Sequence, residues 1–164
     1  MAQRLGIKGP LKHDDGLALG ISEVTLLDLT AAYTTVANDG LLATPRTVAS
    51  VEDNMGRVVP GKDEDRRVLD RKVAEVMRVM LEGVVEKGTG VAARPGFWAA
   101  GKTGTTTDYR DAWFIGFTRQ IVVGVWLGNR QNEPMESVTG GSLPAHIWRN
   151  IVQYHHSRPV RMGS

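Results

Sequence analysis

The chain has 164 residues, about the length of one ordinary domain, and its 41% hydrophobic and 23% charged residues are typical of soluble globular proteins. Its net charge is only +2, and basic residues are interspersed with acidic ones, which argues against a nucleic-acid surface. Because the chain contains no cysteine, disulfides, thiolate nucleophiles and cysteine-based zinc sites are excluded, and neither a cofactor nor a metal is predicted.

The first predicted helix begins at Ser22, a favourable N-cap residue, and runs to Ala37. Four of its residues follow helical spacing: Val24, Leu27, Ala31 and Thr34. The tripeptide Asn-Asp-Gly at 38–40 then predicts a left-handed stop. Two β-prone pieces follow, around 41–51 and at 57–59, and the Asp-Asn-Met-Gly turn between them indicates a hairpin.

The second predicted helix starts at Asp70 and ends at Lys87-Gly88, a cation followed by glycine. Residues at steps of three and four give it one continuous apolar face: Val73, Val76, Met77, Met80, Leu81, Val84 and Val85. We expect the methionines of this face to pack into the core and not to form a binding surface.

Beyond Gly90 the pattern changes from helical spacing to short β-prone segments. Three strands are predicted, at 99–107, 111–118 and 121–128, with short polar turns between them. Because such short connections join neighbouring antiparallel strands, we expect a three-stranded antiparallel meander.

The last predicted helix starts near Ser142, with Pro144 tolerated in its first turn, and continues toward Tyr154. Its apolar residues are Ile147, Trp148, Ile151 and Val152. The fold class is therefore α+β, with helices packed on an antiparallel sheet. We expect residues 1–95 to be mainly helical with a small hairpin, and residues 96–164 to supply the sheet strands and the C-terminal helix.

Two motifs overlap near the start of the predicted sheet. Residues 96–103 match G-x-x-x-x-G-K-[ST], the pattern of a phosphate-binding loop, which needs a helix immediately after it. The intervening residues 97–100 are bulky or apolar, and the β-branched run after Thr103 is poor helix sequence. Nucleotide binding is therefore the less favoured interpretation.

The tetrapeptide Lys102-Thr103-Gly104-Thr105 supports a different chemistry if its strand lies at a sheet edge, where an extended peptide can pair with it. Lys102 supplies a cation, and the hydroxyls of Thr103 and Thr105 can donate to a carboxylate. Gly104 removes a side chain where a substrate backbone must approach, and a backbone N–H can face an oxyanion. On these four residues alone, an ordinary exposed strand stays open as the alternative.

Several further blocks occur in one order along the chain: 17–25, 32–33, 67–70, 83–90, 101–114, 123–126 and 138–144. Together with the Lys-Thr-Gly-Thr motif, they resemble the C-terminal half of the transpeptidase domain of class A penicillin-binding proteins, the bifunctional peptidoglycan synthases. The resemblance implies a fold of the penicillin-binding and serine β-lactamase type. It also implies a parent protein at the extracytoplasmic face of the bacterial inner membrane, with any anchor outside this chain.

The resemblance implies acyl transfer from D-Ala-D-Ala stem peptides through a nucleophilic serine. Lys102 is similar to the third-motif lysine, which supports proton transfer through a serine of the second motif. Thr103 and Thr105 are similar to the pair that holds the terminal carboxylate of the stem peptide or of a β-lactam. The N–H of Thr105 is similar to one of the two oxyanion donors.

The other two family motifs, Ser-x-x-Lys and Ser-x-Asn, are absent around every serine of the chain: Ser22, Ser50, Ser137, Ser142, Ser157 and Ser164. We therefore expect a fragment that is inactive alone. In the family, the strand at 121–128 pairs with an N-terminal strand absent here. Its open edge therefore predicts binding of a complementary segment, dimerisation through that edge, or poor folding of the chain alone. A noncatalytic module that captures peptide carboxylates or partner strands is the second hypothesis.

Overall fold

A computed structural model describes residues 1–12, 15–59 and 66–158 of the chain. The α-helices are α1 (Leu26–Ala37), α2 (Arg71–Lys87) and α3 (Leu143–Ser157). The strands are β1 (Leu41–Leu42), β2 (Val51–Glu52), β3 (Val58–Val59), β4 (Arg66–Arg67), β5 (Ala100–Thr105), β6 (Asp111–Phe117) and β7 (Val122–Gly128). None of the helices in the described ranges is both long and apolar enough to cross a bilayer.

The central sheet has three antiparallel strands in the order β5-β6-β7, which confirms the predicted meander and the α+β class. The three strands begin and end within two residues of their predicted bounds. Within this sheet β5 and β7 are the edge strands, each paired on one side only. The register places Thr103 opposite Phe114, and Phe114 opposite Val125.

Helices cover both faces of the central sheet. Because side chains alternate along β6, Phe114 and Phe117 point to opposite faces. Phe117 joins a cluster with residues of α1 and α2, whereas Phe114 joins a cluster with residues of α3. The core is therefore two apolar layers separated by the sheet.

Trp148 fixes α3 to the sheet. Its side chain is fully buried, and its ring packs against Phe114 with the ring centroids 5.3 Å apart. Its indole N–H donates to the backbone oxygens of Gly116 (3.2 Å) and Val123 (3.1 Å). A buried indole with its donor satisfied combines a large apolar contact with a specific orientation.

The first helix begins later than the sequence predicts. Thr25, not Ser22, is the N-cap residue, because its hydroxyl accepts a hydrogen bond from the N–H of Asp28 at 3.0 Å. Val24 therefore lies before the helix, and Leu27 is exposed. The predicted stop is confirmed, since Asp39 and the glycine after it have φ values of 52° and 90°.

The pairing of the short strands β1 to β4 differs in part from the prediction for this region. Strands β2 and β3 form the predicted hairpin around the turn at 53–56. Strand β1 pairs instead with β4, with Leu41 opposite Arg67. No strand was predicted at β4, because a two-residue strand leaves no periodic signal in the sequence.

The apolar face of α2 is only partly buried, and the prediction that its methionines pack into the core is correct for Met77 but wrong for Met80. Leu81 and Val85 are buried, and Met77 packs beside them. Val76 and Met80 are 59% and 62% exposed, because the sheet and α1 cover only one side of the helix. The spacing of apolar residues shows that they share one broad side of the helix. It does not show which of them another element covers.

Asp39 links the turn after α1 to α2. The guanidinium of Arg78 donates to the Asp39 carboxylate and to the backbone oxygen of Val36, the latter at 3.3 Å. Arg71 lies 3.5 Å from the same carboxylate. Chiefly because of the hydrogen bond from Arg78, the pKa of Asp39 lies below its ordinary value.

We expect Asp39→Asn to lower the free energy of unfolding at pH 7 by at most about 1 kcal/mol, since the ion pair is partly exposed to solvent. A carboxylate with a lowered folded-state pKa stabilises the fold above its unfolded-state pKa, about 3.9, and this contribution disappears as the pH falls through the folded value. In urea unfolding, the difference between the two proteins should therefore shrink below about pH 4. A difference independent of pH would contradict this linkage.

Candidate functional site

The Lys-Thr-Gly-Thr motif occupies the C-terminal end of the edge strand β5. The chain then passes through a short turn into β6, so the motif leads into a strand and no α-helix begins directly after it. This geometry contradicts a phosphate-binding loop, whose backbone N–H groups converge at the start of a helix. It satisfies the condition for pairing with an extended peptide, since among the described residues no strand pairs with the outer side of β5.

The backbone of two motif residues faces this open side. At the end of the β5–β6 ladder, the N–H of Thr106 donates to the oxygen of Asp111 at 3.0 Å. Hydrogen-bonded pairs alternate along an antiparallel ladder, so Gly104 bonds to β6 while the N–H and C=O groups of Thr103 and Thr105 point away from it. The Thr105 N–H, the expected oxyanion donor, is therefore on the outer side of the strand.

The charged and hydroxyl side chains of the motif leave β5 on opposite faces. Lys102 pairs with Ile115 on the face of α1 and α2, whereas Thr103 pairs with Phe114 on the face of α3. Lys102 is exposed, and its Nζ donates to the backbone oxygen of Thr103 at 2.8 Å. Its ammonium therefore reaches the open edge of the strand despite starting from the other face.

Both motif hydroxyls contact residues outside the strand. The Oγ1 of Thr103 lies 2.7 Å from the Oγ1 of Thr89, which follows α2. The hydroxyl of Thr105 accepts a hydrogen bond from the backbone N–H of Gly140 at 3.0 Å. Neither Thr89 nor Gly140 was given a role from the sequence, although both lie in blocks that carry the family resemblance.

The Gly140-Gly141 segment passes so close to β5 that side chains would not fit. A Cβ on Gly140 would lie 2.3 Å from the backbone oxygen of Trp113 and 2.5 Å from that of Gly104. A Cβ on Gly141 would lie 2.3 Å from the oxygen of Thr89. Only glycine fits at these two positions, because the backbone approaches its neighbours so closely. The same close approach brings the N–H of Gly140 to the hydroxyl of Thr105.

Gly104 is itself closely packed against the neighbouring strand. A Cβ at this position would meet the Cβ of Trp113 at 3.2 Å, which is tighter than ordinary contact. Trp113 in turn packs against Trp126 of β7, with ring centroids 6.2 Å apart. The glycine therefore lets an aromatic pair lie beside the motif strand.

The turn after the motif is held by β7 and by the loop that follows it. Asp111 accepts a hydrogen bond from the indole N–H of Trp126 at 2.8 Å, and its own N–H donates to the hydroxyl of Thr106 at 2.8 Å. The N–H of Met135 donates to the oxygen of Tyr109 at 3.0 Å. These contacts fix the end of β5 where the motif lies.

The chemistry assembled at this edge is that of anion recognition beside an accessible backbone. An ammonium and two hydroxyls can bind a carboxylate, and the outward N–H and C=O groups can bind the backbone of an extended peptide. No cluster of three or more histidine, aspartate or glutamate side chains in the described ranges is arranged to hold a metal ion.

Comparison with known proteins shows which family the chain as a whole resembles. A family model described as the penicillin binding protein transpeptidase domain matches residues 8–153. Penicillin-binding protein 1A of Aquifex aeolicus is 40% identical over 143 residues, covering 84% of this chain and 19% of the relative. Penicillin-binding protein 2a of Streptococcus pneumoniae is 35% identical over 147 residues, covering 83% of this chain and 20% of the relative.

Among solved structures, the chain is similar to the PonA1 protein of Mycobacterium tuberculosis in complex with penicillin V. The TM-score is 0.82 at 24% sequence identity, covering 95% of this chain and 48% of PonA1. This likeness shows the fold. The chain thus spans about a fifth of the length of the two curated relatives and about half of the PonA1 chain.

Proposed function

Because the chain belongs to the penicillin-binding protein transpeptidase family, we propose that it supplies one wall of a peptidoglycan D,D-transpeptidase site. The wall consists of residues 102–105 of β5 with Thr89 and Gly140. One observation carries the proposal: the motif lies at the open edge of the sheet, with its ammonium, two hydroxyls and outward backbone groups available to a peptide.

In this proposal, a stem peptide ending in D-Ala-D-Ala lies along β5 as an added strand. Its backbone pairs with the outward N–H and C=O groups of Thr103 and Thr105. Its terminal carboxylate accepts hydrogen bonds from the two threonine hydroxyls, and Lys102 provides positive charge nearby. A β-lactam, which also carries a carboxylate beside its reactive amide, binds in the same way.

The reaction is acyl transfer through a serine that this chain does not contain. The serine oxygen attacks the carbonyl carbon of the D-Ala-D-Ala amide, and the N–H of Thr105 stabilises the resulting oxyanion. The C–N bond then breaks, the proton that the serine hydroxyl has lost is transferred to the leaving nitrogen, and D-alanine departs. An amine of a neighbouring peptide finally accepts the acyl group, while Lys102 supports the proton transfers.

The open edge of β7 is the proposed contact with the missing part of the domain. In the alternating ladder, Gly124 and Trp126 point their backbone N–H and C=O groups away from β6, so a further strand can add there. A strand from the serine-bearing part of the domain is the proposed occupant, and pairing with a second copy is the competing one. The assembled domain acts on the extracytoplasmic side, where peptidoglycan is built.

The test uses fluorescent penicillin with what we call the complemented domain. This is the present chain co-expressed with the first half of a class A transpeptidase domain that bears Ser-x-x-Lys. We expect covalent labelling of the serine-bearing polypeptide in the complemented domain, little labelling of that half alone, and none of the present chain. Labelling of the present chain alone, or a stable complex that reacts with no penicillin, would contradict the proposal.

A noncatalytic module that binds peptide carboxylates is the second candidate. The observation in its favour is that both threonine hydroxyls are already oriented by contacts within this chain. The same labelling experiment separates the two functions, since a binding module yields no covalent product with any partner.

A further inference from the structure

Thr89 lies outside the motif strand, yet its hydroxyl is the partner of a motif hydroxyl. The two oxygens, Oγ1 of Thr89 and Oγ1 of Thr103, are 2.7 Å apart, the usual length of an O–H···O hydrogen bond. Their residues are separated by 14 positions, so the contact is made by the fold and not by local sequence.

The backbone around Thr89 is held in place on both sides. The N–H groups of Gly88 and Gly90 both donate to the oxygen of Val84, at 3.1 and 3.0 Å. Gly141 then packs against the oxygen of Thr89, where any side chain would collide with it. Because its backbone is fixed by α2 and by this segment, Thr89 presents its hydroxyl to β5 in a defined position.

The direction of the hydrogen bond between Thr89 and Thr103 decides whether Thr103 can donate to a carboxylate. A threonine hydroxyl has one proton to donate, whereas an ionised carboxylate can only accept. Thr103 can therefore bind a carboxylate only if its proton is not donated to Thr89. In the ligand-bound state, Thr89 must be the donor and Thr103 the acceptor in their mutual hydrogen bond.

The second motif hydroxyl has the same arrangement. The backbone N–H of Gly140 can only donate, so its hydrogen bond to Thr105 leaves the proton of that hydroxyl for a ligand. Each carboxylate-binding hydroxyl thus accepts one hydrogen bond from a neighbouring segment. An accepted hydrogen bond also polarises the hydroxyl and strengthens the bond that it donates.

We propose that Thr89 is a positioning residue for carboxylate recognition, which donates to Thr103 and thereby directs the Thr103 proton toward the ligand. The inference rests on the proposed function, in which Thr103 binds the carboxylate of a stem peptide or β-lactam. Thr89 itself contacts neither the ligand nor the reacting atoms.

The test compares Thr89→Val, which removes the hydroxyl while keeping the shape, with Thr89→Ser, which keeps it. Both are made in the complemented domain, and acylation rates are measured with benzylpenicillin and with its methyl ester, which lacks the free carboxylate. We expect Thr89→Val to slow acylation by benzylpenicillin about three- to tenfold, the size of one neutral hydrogen bond, because Thr103 keeps its proton but loses the accepted bond that orients and polarises its hydroxyl. Thr89→Ser should restore most of the rate.

The ester distinguishes positioning from a general structural effect. Its acylation should be equally slow in the wild type and in Thr89→Val, because no carboxylate is bound in either. The double variant Thr89→Val/Thr103→Val should be no slower than Thr103→Val alone, since the two hydroxyls act as one unit. Thr47→Val, at an exposed threonine, is the matched control and should leave every rate unchanged.

An unchanged rate in Thr89→Val, an equal loss with acid and ester, or failure of serine to rescue would each overturn the inference. In all three cases the wild-type complemented domain is still labelled, so the proposed function stands. Absence of labelling in the wild type instead overturns the proposed function, and the role of Thr89 with it.

Discussion

Lys102→Ala is expected to slow the acylation of the complemented domain by penicillin at least about a hundredfold, the usual contribution of a residue that supports proton transfer. In the structure its ammonium lies at the open edge of β5, 2.8 Å from the outward carbonyl oxygen of Thr103. From there it can serve both the bound carboxylate and a neighbouring serine. Stopped-flow or gel-based measurement of covalent labelling gives the rate.

Lys102→Arg separates the two contributions of the lysine. Arginine keeps the positive charge but does not deprotonate, so it should restore binding of the carboxylate without restoring proton transfer. Lys87→Ala removes an exposed lysine from the end of α2 and is the matched control. Labelling of Lys102→Ala at the wild-type rate would exclude the proposed role of the motif lysine.

Trp148→Ala is expected to lower the free energy of unfolding by about 3–5 kcal/mol, the range measured for removing a fully buried large aromatic side chain. The substitution removes the ring that packs on Phe114 and leaves the carbonyl oxygens of Gly116 and Val123 without the indole donor. Single domains are stable by only about 5–15 kcal/mol, so the variant should be largely unfolded at moderate urea concentrations.

Urea unfolding followed by circular dichroism provides the measurement. Ile151→Ala lies three residues along the same helix, where the isoleucine is 41% exposed, and should cost well under half as much. Trp148→Phe keeps much of the apolar contact but loses the N–H donor, and should fall between the two. A loss below about 1 kcal/mol for Trp148→Ala would show that α3 does not depend on this contact.

Periodicity and turn chemistry in the sequence were sufficient for the elements that surround the site. Alternation and short polar turns predicted the three-stranded meander, and the N-cap Asp70 and terminal Lys87 bounded α2 correctly. These features are local, since each depends on residues a few positions apart. The start of α1 was predicted too early because Ser22 and Thr25 are both good caps, and only the hydrogen bond to Asp28 distinguishes them.

Burial on α2 could not be read from the sequence in the same way. Val76 and Met80 have the same apolar character and spacing as Leu81 and Val85, but they lie on the side of the helix that none of the described elements covers. The pairing of β1 with β4 was missed for a related reason, because Leu41 and Arg67 meet only when α1 and the start of α2 pack side by side.

The sequence by itself determined the family and the motif strand, because a fixed tetrapeptide and several ordered blocks are properties of the chain alone. The tertiary structure decided that this strand lies at an edge, that Lys102 and Thr103 leave it on opposite faces, and that Thr89 and Gly140 complete the two hydroxyl contacts. These contacts join residues that are 14 and 35 positions apart in the sequence. Such residues come together only when helices and loops pack on the sheet.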